Sequence, residues 1–511
     1  MLSENIRKLW DQFWKDKQRN HKELIPASLI PSQDKTSLFT VAMQQLVPYL
    51  SKPHKDKRLF NIQKCIRTPD IDEIDERHLT MFEMMNWSLD YFKEESLTWS
   101  IDFLTKVCNI PLEKLATIYA DESLLKEDIQ ARNILNKLIK DSKIRALKDN
   151  WWGPAEVPCG PDCEIYYDRG CKYSADWLMN DNDRYTEIWN NVFMEFYKDA
   201  NNFTKLSQQN IDTGMLERLV MILQEKETIF ETDLFGIIQA IEKYTKLSYP
   251  SYTKQEKDFS DEEKQITRRF RIITDHIRAS LFLVSDSVIP SNERGYVLRR
   301  LIRRAFYNIY LLKKNIDYKK LIFEIYEVVE EKYSFWINLK NNNVLKDIII
   351  NEISKFEKTI QKIKLLDDEL KKVQDDTISE VSFKLYDTFG FPFELTKEIQ
   401  SYLKVDEIFK KYMKKAIERS KENSKEVFKR GIDYAVYLHS IEPTKFLYDS
   451  LEEETLKVLK YFEVDGYKIY IFDKTPFYAE GQTADKKLIL DDTELDIYDV
   501  QNIAVYLHFV K

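Results

Sequence analysis

Glycine is nearly missing: the 511-residue chain has 10, where usual usage of about 7% would supply about 36. Cysteine is scarce too. Five scattered thiols, an odd number, argue for a reducing compartment and against a disulfide framework. No stretch approaches the roughly 18 uncharged apolar residues of a membrane span. The amino terminus, MLSENIRKLWDQFWKDKQRN, lacks the apolar region and small-residue cleavage site of a signal peptide. These absences exclude a secreted scaffold and a helical membrane protein, and a soluble cytoplasmic protein is expected.

A composition that is 43% hydrophobic and 13% aromatic can bury real cores, which excludes wholesale disorder. The length calls for two or three domains. The net charge of −8 speaks against a generic nucleic-acid coat, but it is unevenly spread. From Arg294 to Ile316 there is no Asp or Glu, while Arg294, Arg299, Arg300, Arg303, Arg304, Lys313 and Lys314 fall there. Such a local field in an acidic chain calls for a partner.

Residues 1 to about 20 read as an amphipathic helix with Ile6, Leu9, Trp10 and Phe13 on one face. Strands and turns mixed with helices are expected from about 24 to 105, and charged helix over 111–148. A Pro/Gly-rich loop over 151–170 leads into a strand. From about 215 to 460 the pattern is helical, with 354–378 charged enough for a protruding helical hairpin. Near 462 it alternates like strands. Boundaries are expected near 235 and 450.

Three constellations carry chemistry. On the helix around 296–306, Val297, Leu298, Leu301, Ile302 and Ala305 form an apolar stripe, while Arg299, Arg300, Arg303 and Arg304 share the opposite face. An ordinary solvated face is the plain alternative. With no acidic neighbour four residues away, phosphate contact is the better reading, since guanidinium forks suit phosphate oxygens. Arg268, Arg269, Arg271 and Arg278 make a second basic helix. QKCIRT at 63–68 with DERHLTMFEMM at 75–85 reads as a strand delivering Arg67, a charged loop and a return strand. In NIDTGMLERLVMIL at 210–223, a carboxylate, a glycine turn and an arginine precede an apolar helix. Asp212 can pair with a substrate ammonium and Arg218 with a phosphate; a capped surface turn would look the same.

The runs SLIPSQDKTSLFTVAM, QKCIRTPDIDEI, NWSLDYFKEE, PCGPDCEIYYDRG, DTGMLERL, FRIITDHIRA, VIPSNERGYVLRRLIRRA, LYDTFGFPFELT and TPFYAEGQ occur in one order. Together they resemble the alanyl-tRNA synthetases over residues 1 to about 500. The resemblance implies an α+β fold. A class II antiparallel sheet flanked by helices would occupy 1–235, an all-helical tRNA-recognition domain 236–450, and the start of a β-rich editing domain 451–511. It implies ATP-dependent ligation of alanine to tRNA. Arg67 and Arg218 would be the catalytic arginines, with His78, Phe82 and Met84 also at ATP. Trp152, Val192, Asp212 and Gly214 would bind alanine. Asn292 and Asp387 would read the acceptor-stem G·U pair beside Arg299, Arg300, Arg303 and Arg304. Expected partners and cofactors are tRNA(Ala), L-alanine, ATP and Mg2+, with no membrane partner and a monomeric chain. Cys159 and Cys163 suggest zinc, but no second Cys/His pair completes four ligands, so no zinc is expected.

Two departures stand out. Beyond residue 276 only His439 and His508 occur, too few for the family's editing zinc site, so no clearing of mischarged tRNA is expected. Glycines of the family pattern are also missing without replacement, for example between Ala42 and Met43, Met85 and Asn86, and Met215 and Leu216. A stop-type codon decoded as glycine in the source organism and skipped in translation would drop glycines alone. Losing one strand residue turns every later side chain to the other face, so the written chain is expected to fail at alanine-dependent pyrophosphate exchange. The rival to a ligase is a non-catalytic tRNA-binding paralogue; retention of Arg67, Trp152, Asp212 and Arg218 weighs against it.

Overall fold

The computed structural model describes residues 1–30, 38, 40–46, 49, 58–68, 71, 74–88, 91–121, 128–140, 143–148, 150–153, 158–173, 184–199, 202–250, 256–290, 294–336, 343–370, 444–446, 455–464, 467–475, 477, 488–490, 493–495, 497–502 and 506–510.

Helix α1 (Ser3–Lys15) follows from its spacing. Ile6, Trp10, Phe13 and Trp14 make one buried stripe, while Lys8 pairs with Glu4 on the outer face. That stripe packs on a nine-stranded sheet, leaving Leu9 half-buried. Its strands are β1 (Lys22–Glu23), β2 (Leu59–Ile66), β3 (Met81–Ser88), β4 (Leu115–Ala120), β5 (Ile144–Leu147), β6 (Trp151–Trp152), β7 (Pro158–Asp168), β8 (Tyr185–Asp199) and β9 (Asn202–Met215). The order is β1-β2-β3-β9-β8-β7-β4-β5, with β6 beside β7. The run from β2 to β4 is antiparallel throughout, and the flanking pairs β1–β2 and β4–β5 are parallel. Trp10 meets Trp87, Trp189 and Phe103 edge-on at ring-centroid separations of 5.0 to 5.7 Å. Aromatic pairs of this kind add about 0.5–1.5 kcal/mol each beyond area burial.

Helices α2 (Lys93–Asp102) and α3 (Ile129–Leu138) lie within the sheet region. Then come α4 (Leu216–Leu223), α5 (Phe235–Thr245), α6 (Asp261–Ser285), α7 (Arg294–Leu312), α8 (Tyr318–Lys332) and α9 (Asn343–Leu370). The long α6 starts with Ser260 accepting from the Glu263 amide while the Glu263 side chain accepts from the Ser260 amide, a reciprocal cap. No described helix is long and apolar enough to cross a membrane. One continuous apolar core runs from Ile6 to Ile360, so it crosses residue 235 without a break. Past residue 455 the described strands form small sheets; the largest, antiparallel, has the order 458–464, 467–472, 506–510 and 497–502.

Three local expectations are corrected. Residues 111–148 are not one helical stretch: LATIYA and IRAL are the strands β4 and β5, with α3 between them among the described residues. Every residue of β4 is buried, and pairing with β5 and β7 decides a short apolar run that periodicity alone leaves open. Gly214 sits inside β9 and not in a turn. Residues 354–370 continue α9 without reversal, with Ile353, Phe356 and Ile360 in the core; 371–378 lie outside the described residues.

Candidate active site

The β2–β3 pair, in unbroken register from Leu59↔Ser88 to Ile66↔Met81, presents Arg67 as β2 ends. The Arg67 amide donates to the Thr80 carbonyl at 2.9 Å, closing the loop between the strands. Its guanidinium lies over the Phe82 ring, 5.0 Å from the centroid, and Nε donates to the Thr40 carbonyl at 3.3 Å. Phe82 and Met84 share a face and pack with Cys65, Ala42 and Val41. In the loop, His78 Nδ1 is 2.7 Å from Asp75 Oδ2. Burial pushes the Asp75 carboxyl up, but His78 and the Arg77 and His78 amides outweigh it and hold it at about 2. Arg218, on the first turn of α4, donates to the Glu187 carbonyl at 3.0 Å and to the Glu187 carboxylate at 3.2 Å. Its Nε reaches the Arg77 carbonyl at 3.4 Å, beside His78. The structure thus brings Arg67, Phe82 and Met84 together on one face and joins Arg218 to the loop carrying His78.

The expected amino-acid pocket divides. Val192 and Trp152 pack with Leu24, Met43, Leu59, Met194 and Ile211. Val41 touches both this cluster and the Phe82–Met84 cluster, so they share a face. Asp212 is on the other side of the sheet. It pairs across with Trp87 and Asn191, while Val192 pairs with Ile211 one residue away, and successive strand residues alternate faces. There the Asp212 carboxyl accepts from Ser96 Oγ at 2.9 Å and from Asn210. Burial drives its pKa well above the ordinary carboxylate range, against hydrogen bonds from Ser96, Asn191 and Asn210. Gly214 shares that side, where a Cβ would fall 2.4 Å from the Trp189 ring. Its lack of a side chain answers a close approach of tryptophan. The expected alanine set of Trp152, Val192, Asp212 and Gly214 is therefore split two and two.

A family profile described as tRNA synthetases class II (A) matches residues 5–511. The chain belongs to the class II (A) tRNA synthetases. It is 38% identical to an alanine–tRNA ligase of Caldicellulosiruptor saccharolyticus over 98% of this chain and 59% of that protein. Its identity to the alanine–tRNA ligase of Mycoplasmopsis synoviae is 37%, over 98% and 59% of the two chains. With that of Thermotoga petrophila it is 38%, over 95% and 58%. The chain thus spans just under three fifths of the length of these curated relatives. The first match extends over 545 residues, more than the 511 of this chain, so the aligned stretch includes positions where this synthetase has no residue.

The helical half of the synthetase holds its arginines differently from the expected open face. Arg303 is buried and ion-paired with Glu352 of α9 at 2.6 Å. Arg304 is 1% exposed and donates to the Ile71 carbonyl at 2.6 Å. Arg299 and Arg300 remain half-buried, with Arg299 Nε 3.8 Å from Glu352. Sequence spacing could not find Glu352, because its partner helix lies about fifty residues on. On α6, Arg271 is buried against Tyr249 and Glu256, and Arg278 against the Met81 carbonyl and Glu217; Arg268 is exposed. Asn292 and Asp387 lie outside the described residues, as does His439. His508 is buried, its Nε2 2.7 Å from Thr475 Oγ1. Cys159 and Cys163 are buried in β7, and burial pushes both thiols up. No cluster of three or more His, Cys, Asp and Glu side chains that could hold a metal ion occurs among the described residues.

Proposed function

We propose that the chain activates alanine with ATP and transfers it to tRNA(Ala). The observation that carries this reading is Arg67 stacked over Phe82 at the β2–β3 loop, with Arg218 tied to that loop at Arg77; identity to alanine–tRNA ligases supports it. An alanine carboxylate oxygen attacks the α-phosphorus of ATP. The new acyl–phosphate bond forms as the bond to the β-phosphate oxygen breaks and pyrophosphate leaves. A hydroxyl at the tRNA 3′ end then attacks the carbonyl carbon, the ester bond forms as the acyl–phosphate bond breaks, and AMP departs with the hydroxyl's proton passing to its phosphate. The first step moves no proton, so the site acts by holding the two reactants in line and by placing positive charge on the phosphates. Arg67 and Arg218 supply that charge, and Phe82 and Met84 line the nucleotide side. Mg2+ travels with ATP, held largely by phosphate oxygens and water. Glu187, beside Arg218, is a carboxylate suited to the same ion. Arg299 and Arg300 are the α7 arginines we assign to the acceptor stem, with Asn292 and Asp387 reading its G·U pair. Clearing of mischarged tRNA is not a role we give to residues 1–511.

The test is ATP–pyrophosphate exchange with alanine, glycine or serine, on this chain and on one with glycine inserted at the gaps named above. Alanine-dependent exchange by the second preparation is expected, with the first far weaker. Tight binding of tRNA(Ala) by both, with exchange by neither, would establish the non-catalytic rival. Equal, robust exchange by both would sink the claim that the gaps matter.

A further inference from the structure

The turn that follows α8 sets Trp336 against the β2–β3 pair. Lys64 and Glu83 stand directly opposite each other across these strands, so both project from one face. Phe82 and Met84, the chain neighbours of Glu83, take the other face. Trp336 is buried between the two charged side chains: its Nε1 donates to Glu83 Oε1 at 3.0 Å, and Lys64 Nζ lies 4.9 Å from its ring centroid. Arg7 of α1 grips the same carboxylate, with Nη2 donating to Oε2 at 2.5 Å and Nε to Oε1 at 3.3 Å. Glu83 is only 1% exposed, so its place in the fold is fixed by α1 on one side and by the helical half on the other.

That carboxylate sits one contact from the α4 arginine. The β3–β9 ladder ends at the pair Met84↔Met215. Just beyond it the Glu83 amide donates to Glu217 Oε2 at 3.1 Å, and Glu217 immediately precedes Arg218. Burial raises the Glu217 carboxyl; Arg278 opposes the rise, and the negative charge of Glu83 adds to it. Two buried like charges this close stay together only while their cationic and N–H partners hold them. Trp336 also leads towards α9, whose Glu352 is ion-paired with Arg303 of α7.

We propose that Trp336 is a positioning residue for Arg218, acting through Glu83 and Glu217, so that the helical half of the chain sets the affinity for ATP. The inference rests on reading Arg218 as an arginine that meets ATP.

Trp336→Phe isolates the contact, because it keeps a ring beside Lys64 and Phe282 and removes the donor to Glu83. Calorimetric titration with MgATP is made on the full chain and on its glycine-inserted form. The variant's dissociation constant should be about three- to tenfold weaker than the parent's, as for residues that act on a site without touching its ligand. The KM for alanine in pyrophosphate exchange should not move. Glu83→Gln should weaken ATP binding similarly, and the double variant no more than the weaker single, because both changes break one line of contacts. Thermal unfolding checks that each variant is folded. Should Trp336→Phe unfold, Arg7→Lys, which loosens the same carboxylate from α1, decides in its place. A folded Trp336→Phe with a lower unfolding midpoint and unchanged ATP affinity reduces Trp336 to packing and overturns the proposal. Equal losses for ATP and alanine overturn it as well, as does absence of ATP binding by both parent forms. Exchange by none of the preparations, with Trp336-dependent ATP binding intact, overturns the ligase reading and leaves the positioning role standing. Exchange by the parent with Trp336-independent ATP binding overturns the positioning role alone.

Discussion

His21 shows how a single residue writes pH dependence into this chain. It is buried, with its ring 4.5 Å from Trp14 and 5.5 Å from Tyr91, both edge-on. Burial, then the nearby Arg58 charge, lowers its pKa to about 3, against about 6.5 in an unfolded chain. The unfolded state therefore takes up the proton first. Stability is indifferent to His21 above pH 6.5 and falls as the pH drops from 6.5 toward 3, by at most about 1.4 kcal/mol per pH unit. Urea-denaturation midpoints should show a shallower acid decline for His21→Leu than for the parent in that window. Identical slopes would mean that the ring is protonated in the folded protein. The same scale explains Asp212: its identity is clear in DTGMLERL, but its chemical state is set by its burial, against which the three polar side chains around it work.

At the scale of elements, α6 holds the start of β3 and the first turn of α4. Arg278 donates to the Met81 carbonyl at the start of β3 and to Glu217 at 2.7 Å each. Glu217 in turn accepts from the Glu83 amide at 3.1 Å, and Asp275 accepts from the Thr80 amide at 2.9 Å. Glu217 is the chain neighbour of Arg218, so one buried guanidinium sets both the Arg67 loop and the helix bearing Arg218. Hydrogen bonds to charged groups contribute about 1.5–3 kcal/mol. Arg278→Lys, or Glu217→Gln, should therefore raise the KM for ATP in exchange by about tenfold or more, with alanine KM little moved. Loss of thermal stability with unchanged ATP KM would reduce the contact to scaffolding. The elements also fix where a change in residue count would act. β9 passes into α4 with no residue between Met215 and Leu216, and β3 pairs on both sides through Met85 and Asn86. Because strand side chains alternate, one residue more or fewer ahead of Asp212 exchanges the faces of all that follow.

For the molecule as a whole, the tRNA proposed as its partner would have to meet a basic surface on an acidic chain. The arginine-rich segment 294–316 was legible as a basic run, and its spacing put four guanidiniums on one side. Packing against Glu352 of α9 and against the Ile71 carbonyl reveals that Arg303 and Arg304 are internal. Arg299→Ala and Arg300→Ala should weaken tRNA binding and each lower the salt-dependence slope by about 1. Arg303→Ala should instead destabilise the fold by about 3–5 kcal/mol, since it strips a buried Glu352 of its nearer guanidinium and leaves Arg299 at 3.8 Å. Filter binding across a salt series, beside urea unfolding, separates the two outcomes. An intact fold with a reduced salt slope for Arg303→Ala would return that residue to the phosphate face.

The family could be read from the sequence alone, because it is carried by motifs in fixed order. So could α1, the β2–β3 pair with Arg67 at its end, the helices after 215 and the return to strands near 460. Those elements are local: hydrophobic period and turn residues specify them within a few residues. Tertiary structure decided what depends on distant partners. LATIYA became a strand because β5 and β7 flank it, and Arg303 turned inward because Glu352 lies across the helix packing. Asp212 and Val192 parted because the β8–β9 register sets which face each one takes. Asp162, in the cysteine-flanked PCGPDCE run, took the face of Val192 for the same reason. Residue type is a property of the chain, whereas side-chain direction in a sheet is a property of pairing between segments far apart in sequence.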